Sequence, residues 1–248
     1  MSVTAPACAD VRYDTSGEDV YRIVSSQVFT KVTYAGVQQL SIRANGKAWR
    51  FEAQARYLRD GPDGKNRGQA VFVQILEPNG TFDDRVDDDP DFLTILNQPF
   101  AVRLDSVTLR DVRTLHGRVP FSATSPLGAE AVLHGFLRPA PGGLVAGRAT
   151  VAVRFQAQGA MTGPLPGAGA TLVTGTMRMD GTAYYALDDA MLLALDVTLT
   201  LDARVAQSRP SAAVPVRILY RRSIRAVAKT PQLAPLARGA GTVAPATP

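Results

Sequence analysis

Between Met191 and Val205 every odd position is apolar: Met191, Leu193, Leu195, Val197, Leu199, Leu201, Ala203 and Val205. From Asp196 onward the even positions, Asp196, Thr198, Thr200, Asp202 and Arg204, are polar. A period of two makes an extended strand with one dry face and one wet face. At ~3.3 Å per residue it would run about 45–50 Å, well beyond the usual five or six residues. A strand of that length belongs to a large curved or closed antiparallel sheet.

The same alternation recurs elsewhere. Trp49, Phe51, Ala53, Ala55 and Tyr57 alternate with Arg50, Glu52, Gln54 and Arg56, and Val71, Val73 and Ile75 follow a turn-rich stretch. Phe100, Val102 and Leu104 form a shorter run. Val151, Val153, Phe155 and Ala157 make another, as do Met177, Met179, Ala183 and Tyr185, and Val214, Val216, Ile218 and Tyr220. With two more strands in about 20–44, the chain carries roughly nine or ten, separated by Gly, Pro, Asn and Asp clusters. One-sided alternation points to antiparallel pairing. Ala44–Lys47 carries an Asn-Gly hairpin signal, and Leu187–Ala190 turns one long strand into the next. Three short helices are expected in the less regular middle: one from Asp89-Pro90 to Leu96, one from Ser106 to Leu115, and one from Ser125 to His134. The fold class is therefore mainly β: a strongly curved antiparallel sheet, half-barrel or barrel-like, whose apolar face is covered by a few short helices.

A chain of 248 residues that is 46% hydrophobic and 20% charged has material for one large β domain. Residues 13–229 read as that domain, 1–12 as the remnant of a signal region, and 230–248 as a disordered Ala/Pro-rich tail. No window approaches the ~18 continuous apolar residues of a spanning helix. Around Cys8, Ala5-Pro6-Ala7 and Ala7-Cys8-Ala9 fit the small-x-small pattern of a signal-peptidase site. That pattern suggests export to the periplasm or beyond, with Cys8 either removed or used as a membrane anchor.

The net charge of +5 is unevenly spread. Eight basic residues lie beyond Asp202, leaving nineteen basic against 22 acidic residues in the remainder, a net of −3. A nucleic-acid binder needs a basic face interleaved with aromatics, which the C-terminal cluster lacks. No nucleic acid is expected as a partner. Arg217, Arg221, Arg222 and Arg225 instead suit anionic headgroups at a membrane surface.

Chemistry-bearing motifs are few. His116 and His134 are the two histidines, and no Gly-x-Ser-x-Gly accompanies them. The run Asp83, Asp84, Asp87, Asp88, Asp89, Asp91 lacks the spacing and closing Glu of an EF-hand and reads as a solvated acidic loop. Neither catalytic residues nor metal ligands nor a cofactor are assigned, and the chain is not expected to be an enzyme.

The interior looks roomy. Ala157, Gly159, Gly181 and Ala183 lighten two inward rows, and Met161, Met177, Met179 and Met191 lie within 31 residues. Methionine adapts to irregular apolar partners. A hydrophobic ligand is expected to be lined by Trp49, Phe51, Tyr57, Val153, Phe155, Met177, Met179, Tyr185, Met191, Leu193, Leu195, Val197 and Leu199.

This succession of strands and turns over about 20–228 resembles the periplasmic lipoprotein carriers and lipid-binding lipoproteins of the LolA/LppX type. The segment Gly181–Leu193 is similar to a strand–turn–strand phrase of exported lipoproteins, with Ala190 at the usual glycine. The resemblance implies a bent sheet holding acyl chains and assigns no role to any single residue. The expected function is an exported bacterial binder or carrier of a lipid or other hydrophobic molecule. The alternative is a structural or interaction module of the cell envelope with a packed core.

Overall fold

A computed structural model of the chain describes residues 9–26, 29–76, 82–88, 91, 93, 118–124, 132–164, 171–207 and 213–228, apart from the side chains of 76, 82–88, 124, 164, 171 and 207. The described elements are strands: β1 (Ala9–Ile23), β2 (Phe29–Asn45), β3 (Ala48–Gly61), β4 (Gly64–Leu76), β5 (Phe82–Asp88), β6 (Val119–Thr124), β7 (Val132–Ala140), β8 (Leu144–Val145), β9 (Arg148–Pro164), β10 (Thr171–Ala186), β11 (Leu192–Gln207) and β12 (Val214–Ala226). Eleven form one open antiparallel sheet in the order β5-β4-β3-β2-β1-β12-β11-β10-β9-β7-β6, and β8 pairs with the start of β9. Two meanders, β1–β5 and β9–β12, grow outward from a seam between β1 and β12. That seam is antiparallel from Tyr13 opposite Ala226 to Ile23 opposite Val216.

Side-chain alternation gives the sheet an apolar face and a polar face. Cross-strand partners share a face, so one row reads Tyr34, Gly17, Arg222, Val197, Gly181, Phe155, Leu137, Val119 from β2 to β6. The row beside it reads Val32, Asp19, Tyr220, Leu199, Met179, Ala157, Gly135, Phe121. Most apolar members of these rows are buried, and one cluster runs from Phe51 and Phe72 through Tyr13, Leu199 and Met177 to Phe155 and Leu133. Glycines within strand interiors fall on this face: Gly17, Gly36, Gly68, Gly135, Gly159, Gly175 and Gly181.

The long strand expected from the sequence is β11, shifted to Leu192–Gln207, with Met191 as an isolated bridge. Its parity holds from Leu195 to Val205 and breaks at Leu193. There Tyr184 pairs with Ala194 but Tyr185 pairs with Leu192, so Leu193 is the extra residue of a bulge. Leu192 therefore joins the main cluster, and Leu193, though buried, does not.

The Asn-Gly hairpin between β2 and β3 is present, with Gly46 at φ 63°. The turn at Leu187–Asp189 also stands, and it holds Ala190 at φ 57°. β1 begins at Ala9, so Asp10, Val11 and Arg12, read from sequence with the N-terminal remnant, lie within the sheet.

The expected helices are not seen among the described residues. Val132, Leu133 and His134, the end of the third, lie in β7, where Leu133 and Leu137 are buried and Val132, His134 and Phe136 are exposed. That pattern has period two, and the backbone of β7 finds its hydrogen bonds in β6 and β9. The first two helices, apart from Asp91 and Leu93, and the run Phe100–Leu104 lie outside the described residues.

Candidate functional site

The structure gathers most of the expected lining onto one face. Ten of the thirteen residues, Phe51, Val153, Phe155, Met177, Met179, Tyr185, Met191, Leu195, Val197 and Leu199, belong to the main apolar cluster, and Trp49 packs against it. Tyr57 sits in a smaller neighbouring cluster with Val32, Tyr34, Ala55, Ala70 and Leu93.

Within this apolar surface lie polar groups that sequence reasoning missed. Gln38 on β2 is fully buried, and among the described residues neither polar atom of its amide has a hydrogen-bond partner. Thr15 Oγ1, Gln74 Oε1 and the Tyr185 hydroxyl are also buried, with no partner among the described residues. Gln38 lies opposite Tyr13 on β1 and Ala55 on β3. The Tyr13 hydroxyl reaches across the seam and donates to the Leu192 carbonyl at 2.9 Å. Burial drives the hydroxyl pKa values of both Tyr13 and Tyr185 upward, so both are neutral donors.

A second constellation surrounds Arg222. Its guanidinium is buried, with Nη1 2.5 Å from Asp19 Oδ1. Nε donates to the Asp91 carbonyl at 3.2 Å and Nη2 donates to the same oxygen. The guanidinium carbon lies 4.9 Å from the Tyr34 ring centroid and 5.8 Å from that of Tyr220. The Tyr34 hydroxyl stands 2.9 Å from Asp19 Oδ2 and 3.0 Å from Asp91 Oδ1, so its one proton serves one carboxylate at a time. The Tyr57 hydroxyl donates to the other oxygen of Asp91. Burial holds the Asp19 carboxyl above its ordinary range, and Arg222 offsets only part of this.

Two glycines make room for the constellation. A Cβ on Gly17 would lie 2.9 Å from Arg222 Cδ, and one on Gly68 would lie 2.4 Å from Tyr57 Cζ. The result pins Asp91 against the apolar face, with Leu93 fully buried in one cluster with Tyr34 and Tyr57. The acidic run, expected as a solvated loop, thus contains an edge strand, β5, and a carboxylate anchored by two tyrosines at Asp91.

The four arginines expected to meet headgroups do not share a surface. Arg222 is on the apolar face, and the others are on the polar face with acidic partners: Arg217 with Asp202 at 2.5 Å, Arg221 with Glu18 at 2.9 Å, and Arg225 with Asp196. This polar face holds an open depression of about 550 Å³ lined in part by Glu18, Arg154, Asp180, Asp196, Thr198 and Arg221. Nearby, Ser122 Oγ and His134 Nδ1 are 2.9 Å apart in an exposed pair. The surrounding segments 118–124 and 132–164 contain no Asp or Glu that would orient such an imidazole. His116 lies outside the described residues. Among the described residues no cluster of three or more His, Cys, Asp or Glu is placed to hold a metal ion.

Comparison with models of known protein families gives no match, and comparison with curated proteins gives none either.

Proposed function

We propose that this chain is an exported bacterial binding or carrier protein for a hydrophobic molecule, held against the apolar face of a curved, half-barrel-like sheet. The observation that carries the reading is Gln38. A buried amide with two donors and an acceptor left empty costs about 1–3 kcal/mol for each unsatisfied group, a cost a packed, ligand-free core would keep. A bound molecule with a small polar head supplies the missing hydrogen bonds, and its apolar body suits the aliphatic and aromatic side chains of the surrounding cluster. Among the described residues the one buried cation, Arg222, is paired with Asp19, so the head is uncharged, such as a hydroxyl or a protonated carboxyl. The inward glycines support curvature, since a residue without a Cβ lets a strand bend toward its own face. This reading agrees with the resemblance to the LolA/LppX-type carriers and with the export pattern before Ala9.

Native mass spectrometry with lipid extraction tests the proposal. Co-purifying acyl species are expected, together with displacement of a fluorescent fatty alcohol by the extracted lipid. Gln38→Leu is expected to weaken that binding about tenfold, the worth of one hydrogen bond of ~1.5 kcal/mol. A protein that carries no lipid, and melts higher as Gln38→Leu, has a dry core and is instead a structural or interaction module of the envelope.

A further inference from the structure

Charge is segregated on the polar face in a way unrelated to the interior. On the β1–β12–β11 part, Arg217, Arg221 and Arg225 each face an acidic partner. Toward the β6 edge the acids stop. Residues 118–124 and 132–164 contain no Asp or Glu, yet they contribute Arg118, Arg138 and Arg154 to this face, and Arg178 of β10 adjoins them. None of these four makes an ion pair among the described residues.

Arg138 and Arg154 stand directly opposite one another on β7 and β9. Like charges in that position repel and weaken the sheet. Between them is a cleft of about 150 Å³ completed by Phe136 and Gln156. A bound phosphate group there turns the repulsion into two charge-assisted contacts; the Gln156 amide beside it already donates to Asp180 of β10 at 2.9 Å and adds only its second N–H. Phe136 and Val132 project from the same face of β7, 42% and 45% exposed, with the Arg118 guanidinium carbon 5.5 Å from the Phe136 centroid. Unpaired arginines interspersed with exposed apolar side chains match a layer that has phosphate outside and hydrocarbon just beneath it.

We propose that the polar face of β6, β7 and β9 docks on an anionic phospholipid bilayer, with the Arg138–Arg154 pair as its phosphate contact. The membrane contact expected at Arg217, Arg221, Arg222 and Arg225 thereby moves to the opposite part of the polar face, where the arginines have no acidic partner among the described residues. This proposal stands independently of any ligand on the apolar face.

Sedimentation of the full chain with vesicles of phosphatidylcholine, with and without phosphatidylglycerol, tests it. Binding is expected only with phosphatidylglycerol and is released by added chloride. Each unpaired arginine near the surface contributes about fivefold, so Arg138→Ser with Arg154→Ser lowers partitioning roughly 25-fold. Arg217→Ser with Arg225→Ser removes the same formal charge and is expected to change partitioning less than about threefold, because those cations are already neutralised. The first pair relieves a repulsion, so the fold tolerates it, and the chloride titration reads the contact without any variant. Three results overturn the proposal. One is a wild-type chain that ignores phosphatidylglycerol. Another is equal loss in both double variants. The third is release by inorganic phosphate well beyond chloride of matched ionic strength, which marks a discrete site for free phosphate.

Discussion

Arg222 is the largest fully buried side chain in the described sheet, and its charge is tolerable there only through its partners. Asp19 neutralises it, the Asp91 carbonyl and the Arg221 carbonyl accept from it, and two tyrosine rings flank it. Removing one partner of a buried pair leaves the other charge without compensation. Asp19→Ala is expected to cost about 3–5 kcal/mol in urea unfolding, and Arg222→Met a comparable amount. The double variant Asp19→Leu with Arg222→Met is expected to lose clearly less than the sum of the singles; strict additivity would show that the two do not act as a pair. The position of Arg222 was legible in the sequence. The alternation of Val216, Ile218 and Tyr220 continues to Arg222, Ile224 and Ala226, which places Arg222 inside and Arg221 and Arg225 outside. Charge alone does not separate Arg217, Arg221, Arg222 and Arg225; parity does. The acid-free stretch around Arg138 and Arg154 is equally plain in the sequence, though it stands out less than the eight basic residues beyond Asp202. Gln38 is not legible: of the two glutamines between Val37 and Leu40, nothing marks Gln38 as the one whose amide lacks a partner among the described residues.

Elements were readable where both faces obey the pattern. β11, β9 and β10 do so, because their inward positions are apolar or glycine and their outward positions mostly polar. β1 does not, since Thr15, Gly17 and Asp19 occupy its inward positions opposite Ile224, Arg222 and Tyr220. A polar inward row erases the alternation, and only pairing on both flanks makes the strand. Val132, Leu133 and His134, expected as the end of a helix from Ser125, are too few to reveal a period, and the alternation shows only when Phe136 and Leu137 are read with them. The β10–β11 turn shows how an imperfect residue is carried. Asp188 Oδ1 accepts from the Asp189 amide at 3.0 Å, Asp189 Oδ1 accepts from the Met191 amide at 3.0 Å, and Ala190 is forced to φ 57°. An L-residue with a Cβ pays about 1 kcal/mol there, which glycine avoids. Ala190→Gly is therefore expected to raise stability by about 0.5–1 kcal/mol, seen as a higher urea midpoint with an unchanged slope. A lower midpoint would mean that the backbone entropy of glycine outweighs the relief.

At the scale of the molecule, the two meanders share one seam and one continuous apolar face. Trp49, the single tryptophan, reports on β3, while the far-ultraviolet signal is dominated by all the strands together. Tryptophan fluorescence and circular dichroism are expected to trace the same urea transition. Separated midpoints would show that the meanders unfold as independent units. The seam itself joins residues about as far apart as this chain allows: Arg221 meets Glu18 across 203 positions. Adjacent hairpins such as β2–β3 and β10–β11 can close as soon as they leave the ribosome, but β1 must keep one edge open until β12 has been made. Contact order of this kind slows folding, because the closure entropy of a long loop is spent before the pairing returns it. The chain therefore stays incomplete, with an unpaired central edge, for nearly the whole of its synthesis. During that interval the open edge of β1 is a template on which strands of other chains can pair.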